Sequence, residues 1–185
     1  MHNPTTSFLA GILGLLLFAC NPSAQQSTGT TANDPTKISL PAGFHLQVVA
    51  DSVGRARHIA VRDNGDIYVR LRTATADGYT IAALRDTDGD GRADITAYFD
   101  NTTGTGIHIH KNYLYYSSDT TVYRVALGAE LVPTAAPEIV VAGFPNQRSH
   151  AAKPITFDGE GNLYVNIGGP SNACMEEARD RKSVV

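Results

Sequence analysis

From Leu40 onward, short β-branched and aromatic runs alternate with turns built from Gly, Asn and Asp. No stretch carries a helical period, so the pattern predicts an all-β chain. The runs also repeat. Asp66-Ile-Tyr-Val69, Tyr113-Leu-Tyr-Tyr116 and Asn162-Leu-Tyr-Val165 share one order: a polar or aromatic residue, an aliphatic one, tyrosine, then a β former. Their tyrosines, Tyr68, Tyr115 and Tyr164, stand 47 and 49 residues apart. A period of roughly 40–50 residues with four strands per unit is the mark of a β-propeller.

The strands fill that count. Unit one is predicted over His58–Val61, Asp66–Arg70, Tyr79–Arg85 and Asp94–Phe99. Unit two runs over Gly106–His110, Tyr113–Ser117, Val122–Leu127 and Glu138–Ala142, and unit three over Pro154–Phe157 and Asn162–Asn166. Phe44–Ala50 is a spare strand of the kind that completes the last blade and closes a ring. About two and a half blades plus that strand leave sheet edges open, which exported proteins avoid. The chain is therefore expected to be a fragment of a larger propeller, occupying residues 38–181. Asp180-Arg-Lys-Ser-Val-Val185 resembles a translated sequencing-library adapter, and residues 182–185 are given no biological meaning.

The first residues are not fold. Phe8 to Cys20 (FLAGILGLLLFAC) is an unbroken run of apolar or small residues, of signal-peptide length and short for a membrane span. Its end, Leu-Phe-Ala-Cys20, resembles a bacterial lipobox, in which cleavage leaves a lipidated cysteine. The alternative is a secretory segment with an incidental cysteine, which the absence of Lys and Arg from Met1 to Ser7 favours. The polar tether that follows directly, residues 21–37, favours the lipoprotein, because its composition cannot bury enough apolar surface to fold. The expectation is an exported protein of the cell envelope (periplasm or outer membrane), lipid-anchored through Cys20.

Composition narrows the partners. The formal charge is -3 and no basic stripe runs through the chain, so nucleic acid is not an expected partner. The two cysteines, Cys20 and Cys174, form no disulfide framework.

One loop carries metal-ligand spacing. Arg85-Asp-Thr-Asp-Gly-Asp-Gly-Arg-Ala-Asp94 sets Asp86, Asp88, Asp90 and Asp94 at positions 1, 3, 5 and 9 of an EF-hand-like calcium loop, with Gly91 at position 6. Ala97 stands where the bidentate glutamate belongs, and no helix flanks the loop. A calcium site and a plain acidic hairpin tip both fit these residues.

Chemistry is expected where loops enter the innermost strands, since those loops gather round a propeller's channel. Three such loops hold Arg55-Ala-Arg57-His58, Gly104-Thr-Gly106 (with His108 and His110 beyond) and Arg148-Ser-His150-Ala-Ala-Lys153. Cations cluster in the first and third, as an anionic ligand requires. Each has a plainer reading: solvated arginines, a polar strand face for His108 and His110, and a turn residue for His150.

Leu40-Pro-Ala-Gly-Phe44, Arg57-His-Ile-Ala-Val61, Ala83-Leu-Arg-Asp-Thr-Asp-Gly-Asp-Gly-Arg-Ala-Asp94 and the Arg148–Cys174 stretch occur in that order. Together they resemble the N-terminal part of the glucose/sorbosone dehydrogenase family, in its sorbosone and pyranose dehydrogenase branch, from Leu40 to about Ala178. The resemblance implies a six-bladed propeller that uses pyrroloquinoline quinone (PQQ) and calcium to oxidise a sugar or aldose. It implies His150 as the base that removes the substrate proton, Arg57 and Lys153 as contacts to PQQ carboxylates, and a cytochrome c as electron acceptor. Glu160, ten residues beyond His150, falls where the family often has Asp in a Gly-Pro-Asp-Gly turn. An imidazole titrates near neutrality and suits a general base. Most cofactor contacts of that family lie in later blades, so the chain alone is expected to be inactive, and Cys174 is implied to pair with a downstream cysteine. Two other classes stay open: a non-catalytic propeller that binds glycans or proteins, and a calcium-dependent propeller lactonase, which the His- and Arg-rich loops disfavour.

Overall fold

The computed structural model describes residues 38–169. Among them ten strands form: β1 (Ala56–Val61), β2 (Ile67–Leu71), β3 (Ile81–Arg85), β4 (Ile95–Phe99), β5 (Ile107–His110), β6 (Tyr113–Ser117), β7 (Thr121–Ala126), β8 (Glu138–Ala142), β9 (Ile155–Phe157) and β10 (Leu163–Val165). Every pairing is antiparallel between sequence neighbours, giving sheets β1-β2-β3-β4, β5-β6-β7-β8 and β9-β10. These are the three predicted units, each strand within two residues of its expected bounds. Just ahead of the sheets the Phe44 N–H donates to the Pro41 carbonyl at 3.2 Å and closes a turn.

The spare strand expected over Phe44–Ala50 carries no ladder. Extended backbone becomes a strand only beside an edge that can accept its hydrogen bonds. Here the Val49 carbonyl accepts from the Ala93 N–H at 2.8 Å, in the loop before β4 rather than along a strand. Residues 1–37, Cys174 and residues 182–185 lie outside the described residues.

Both faces of the full sheets are used. In β1 to β4 the register lines up Ala60, Tyr68, Ala83 and Ala97 on one face. That face meets Ile107, Leu114, Tyr116 and Val125 of the second sheet. The second sheet's other face presents His108 opposite Tyr115 and packs on Ile155, Phe157 and Val165 of the third. The periodic tyrosine thus has one job: Tyr68 and Tyr115 hold the same register and each faces the following sheet. Tyr164 holds that register in β10 and donates its hydroxyl to Asp158 at 2.9 Å. Tyr164 is exposed, whereas Tyr68 and Tyr115 are buried, and burying each of those two contributes on the order of 2 kcal/mol.

The first two sheets are also locked by a polar cluster. Arg70 is fully buried and donates to the Thr80 hydroxyl at 3.0 Å and to the carbonyls of Thr102 and Ser117. Asp100 lies 3.9 Å from the guanidinium and accepts from the Tyr116 hydroxyl at 2.7 Å and the Thr102 N–H at 2.6 Å. Burial pulls the Arg70 pKa down while Asp100 opposes it.

Candidate functional site

Antiparallel alternation puts the starts of β1, β5 and β9 at one end of their sheets, and the innermost strands pack β1 beside β5 and β5 beside β9. The three loops entering those strands meet at Thr105. Its carbonyl accepts from His58 Nδ1 at 2.6 Å, and its hydroxyl accepts from the Lys153 backbone N–H at 3.3 Å. The Lys153 carbonyl in turn accepts from the Ser117 hydroxyl at 2.8 Å. The flanking glycines make this closeness feasible. A Cβ at Gly104 would fall 1.9 Å from the Ser117 carbonyl oxygen, and one at Gly106 would fall 2.3 Å from the Lys153 carbonyl oxygen.

His150 stands exposed at this end, with a φ of 54° that side-chain-bearing residues rarely adopt. Its Nδ1 lies 2.9 Å from the Gly169 carbonyl and 3.4 Å from the Ser149 hydroxyl. A carbonyl only accepts, so Nδ1 carries the proton in that contact, and in the neutral ring Nε2 is left with its lone pair. Among the described residues Nε2 has no hydrogen-bond partner.

Arg57 is exposed at a β-bulge of β1, where the register slips between Ala56 and His58. Bulges re-aim side chains and are frequent beside active sites. Lys153 is placed differently: it is fully buried beneath the loop, and Nζ donates to the Ala151 carbonyl at 2.7 Å and Gln147 Oε1 at 3.4 Å. Burial lowers its pKa, while Asp119 acts in the other direction. Two of its three ammonium protons are spent on its own loop.

His108 and His110 face the third sheet rather than the loop cluster. The His110 ring stacks on Phe157 at 4.2 Å, and His108 lies 5.5 Å from it. Burial lowers the His108 pKa, with neighbouring His110 adding to the effect.

The acidic loop joins β3 to β4 and therefore lies at the opposite end of the sheet from the loop cluster. It brings carboxylate oxygens of Asp86, Asp88 and Asp94 within 4.8 Å of one another. Asp90 is not in that group; its carboxylate accepts from the Arg92 N–H at 2.7 Å. The Asp86 pKa is lowered by the backbone N–H groups of Gly89 and then Gly91, and the Asp94 pKa by the hydroxyl and N–H of Thr87. Glu160 also lies at that far end, in the β9–β10 turn, where its N–H donates to Asp158 at 3.0 Å.

Thr105, Gln147 and Gly168 belong to the loop cluster yet carry no sequence signal of their own, apart from the adjacent Gly168-Gly169 pair.

No protein-family model and no curated protein matches the chain. Solved structures do. The holo PQQ domain of pyranose dehydrogenase from Coprinopsis cinerea superposes with a TM-score of 0.57 at 17% identity, covering 67% of this chain and 30% of that one. A calcium structure of a Trichoderma reesei carbohydrate-active enzyme of family AA12 gives 0.56 at 20% identity, covering 68% and 32%. The chain folds as a β-propeller domain. The PQQ-bound aldose sugar dehydrogenase of Streptomyces coelicolor gives 0.50 at 19% identity, covering 69% of this chain and 42% of that one. The propeller described here thus spans about a third of the length of the solved chains it resembles.

Proposed function

We propose that this propeller belongs to a PQQ-dependent sugar dehydrogenase of the glucose/sorbosone type, with His150 as its general base. The observation that carries the reading is the His150 contact: Nδ1–H on the Gly169 carbonyl leaves Nε2 as a bare acceptor at the end where three innermost-strand loops meet. The propeller likeness to PQQ-bearing sugar dehydrogenase structures supports it.

The residues present fit the quinone in part. Arg57 is exposed, its guanidinium has no side-chain partner among the described residues, and it is offered to a carboxylate. Lys153 does not fit the expected role of a direct contact, because it is fully buried with Nζ bonded to Ala151 and Gln147, and it contributes only positive charge beneath the loop. When bound, the quinone supplies a carbonyl that accepts a hydride. His150 Nε2 takes the proton of the sugar hydroxyl as that hydride departs. The resulting imidazolium keeps its Nδ1–H on the Gly169 carbonyl, which stabilises the new charge. Calcium would bind Asp86, Asp88 and Asp94 as a structural brace of the β3–β4 hairpin, remote from the base. A cytochrome c is the proposed external electron acceptor.

The test is turnover. The product of the full-length gene, purified and reconstituted with PQQ and calcium, is expected to reduce a redox dye with aldoses, and His150→Ala to abolish turnover. Dye reduction by neither protein overturns the assignment, and undiminished turnover in His150→Ala removes the base. Export and a lipid anchor at Cys20 are part of the same proposal; a Cys20→Ser variant that still fractionates with membranes as before would count against the anchor.

A further inference from the structure

His150 sits in the left-handed backbone region, uncommon for a residue with a side chain, and its surroundings hold it there. One short segment does so. The Gly169 carbonyl takes Nδ1–H at 2.9 Å, and Gly168 lies so close that an added Cβ would come within 2.5 Å of His150 Cβ. A second side chain of the same loop grips that segment. Gln147 donates Nε2–H to the Gly168 carbonyl at 2.7 Å, while its Oε1 receives Lys153 Nζ at 3.4 Å. The Gly168-Gly169 segment is thereby tied at two successive carbonyls to one loop, by Gln147 at the first and His150 at the second.

We infer that Gln147 is a positioning residue for His150: it fixes the Gly168-Gly169 segment so that the Gly169 carbonyl holds the imidazole as its Nδ1–H tautomer, with Nε2 bare. The inference rests on the proposed role of His150 as base. An amide suits the position. It must donate to a carbonyl and accept from an ammonium at once, whereas a carboxylate keeps the second contact alone and a thioether keeps neither. Lys153 acts through Gln147 in this arrangement, as the buried charge that orients the amide. Gly168 completes it, because a Cβ there would meet His150 Cβ at 2.5 Å and its carbonyl oxygen at 2.9 Å.

The test reads the tautomer directly. The full-length protein, with its histidine rings labelled with ¹⁵N and ¹³C, is compared with Gln147→Met and Gln147→Glu by imidazole NMR at a pH where the rings are neutral, and His150→Gln identifies the His150 signal. The wild type is expected to show the Nδ1–H tautomer, and both variants a mixture with Nε2–H, with Gln147→Glu, which keeps an acceptor for Lys153, at a thermal midpoint near that of the wild type. In the quinone-loaded protein both variants lower kcat about 10²-fold, the usual cost of a misplaced catalytic group, with little change in the KM for sugar. An unchanged tautomer in either variant overturns the inference, because each removes the Gly168 contact. A fall in thermal midpoint with the tautomer intact also overturns it, by making Gln147 merely structural. If the protein proves not to use the quinone, the tautomer result still decides the role of Gln147, and only the proposed function fails.

Discussion

Replacing Arg70 by methionine keeps most of the buried volume and removes the charge that joins the first two blades. The change leaves Asp100, itself only 9% exposed, without its cation. It also strips a donor from the Thr80 hydroxyl and from the carbonyls of Thr102 and Ser117. Removing one partner of a buried ion pair costs about 3–5 kcal/mol, because the other charge stays buried and uncompensated. Asp100 keeps the Tyr116 hydroxyl and the Thr102 N–H, which places the expected loss at the lower end, about 3 kcal/mol. A domain of ordinary stability has about 5–15 kcal/mol in all, so the variant should fold but unfold at clearly lower urea. The chain has no Trp, so tyrosine fluorescence follows the transition. Adding Asp100→Asn removes the orphaned charge and should recover part of the loss, with a coupling of about 1–3 kcal/mol. A loss under about 1 kcal/mol in Arg70→Met, or full additivity in the double variant, would refute the reasoning.

Three further outcomes follow from the same structure. Gly104→Ala sets a methyl 1.9 Å from the Ser117 carbonyl and 2.8 Å from Ser118 Cα, both backbone atoms that cannot swing aside. It should destabilise by roughly 2 kcal/mol or more in thermal melts, and a neutral result would show that the loop relaxes freely. His108 is held below the usual histidine pKa by burial and by His110, so the unfolded chain binds its proton first. Stability should therefore be complete above about pH 6.5 and decline as pH falls below it, and His108→Phe should flatten that slope in melts across pH 5–7. At the acidic loop, added calcium should raise the melting temperature over that in chelator, and Asp94→Asn should shrink the gap. An equal gap in the variant would leave Asp94 without a role as ligand.

The blades were legible because burial, turns and pairing all repeat on one period. Tyr68 and Tyr115 mark equivalent faces, and β6 and β8 take the bounds that their sequence predicts. The Phe44–Ala50 stretch read as a strand because propensity is local, whereas a ladder needs a partner edge that propensity cannot report. His150 and Arg57 were visible as residues beside a strand start. Lys153 was visible as a charge, but its burial beneath the loop was not, since a cation in a loop is ordinarily solvated. Arg70 hid inside a strand of apolar neighbours, where its polar partners come from Thr80, Asp100, Thr102 and Ser117, up to 47 residues away. Thr105 and Gln147 act through a backbone carbonyl or an amide, and neither leaves a motif.

The most direct test of the central claim is an absorbance titration of the purified full-length protein with PQQ in the presence of calcium. The account predicts a saturable spectral change, weakened about tenfold or more in Arg57→Ala by loss of a charge-assisted contact. A spectrum that remains the sum of free quinone and protein at every ratio would contradict it.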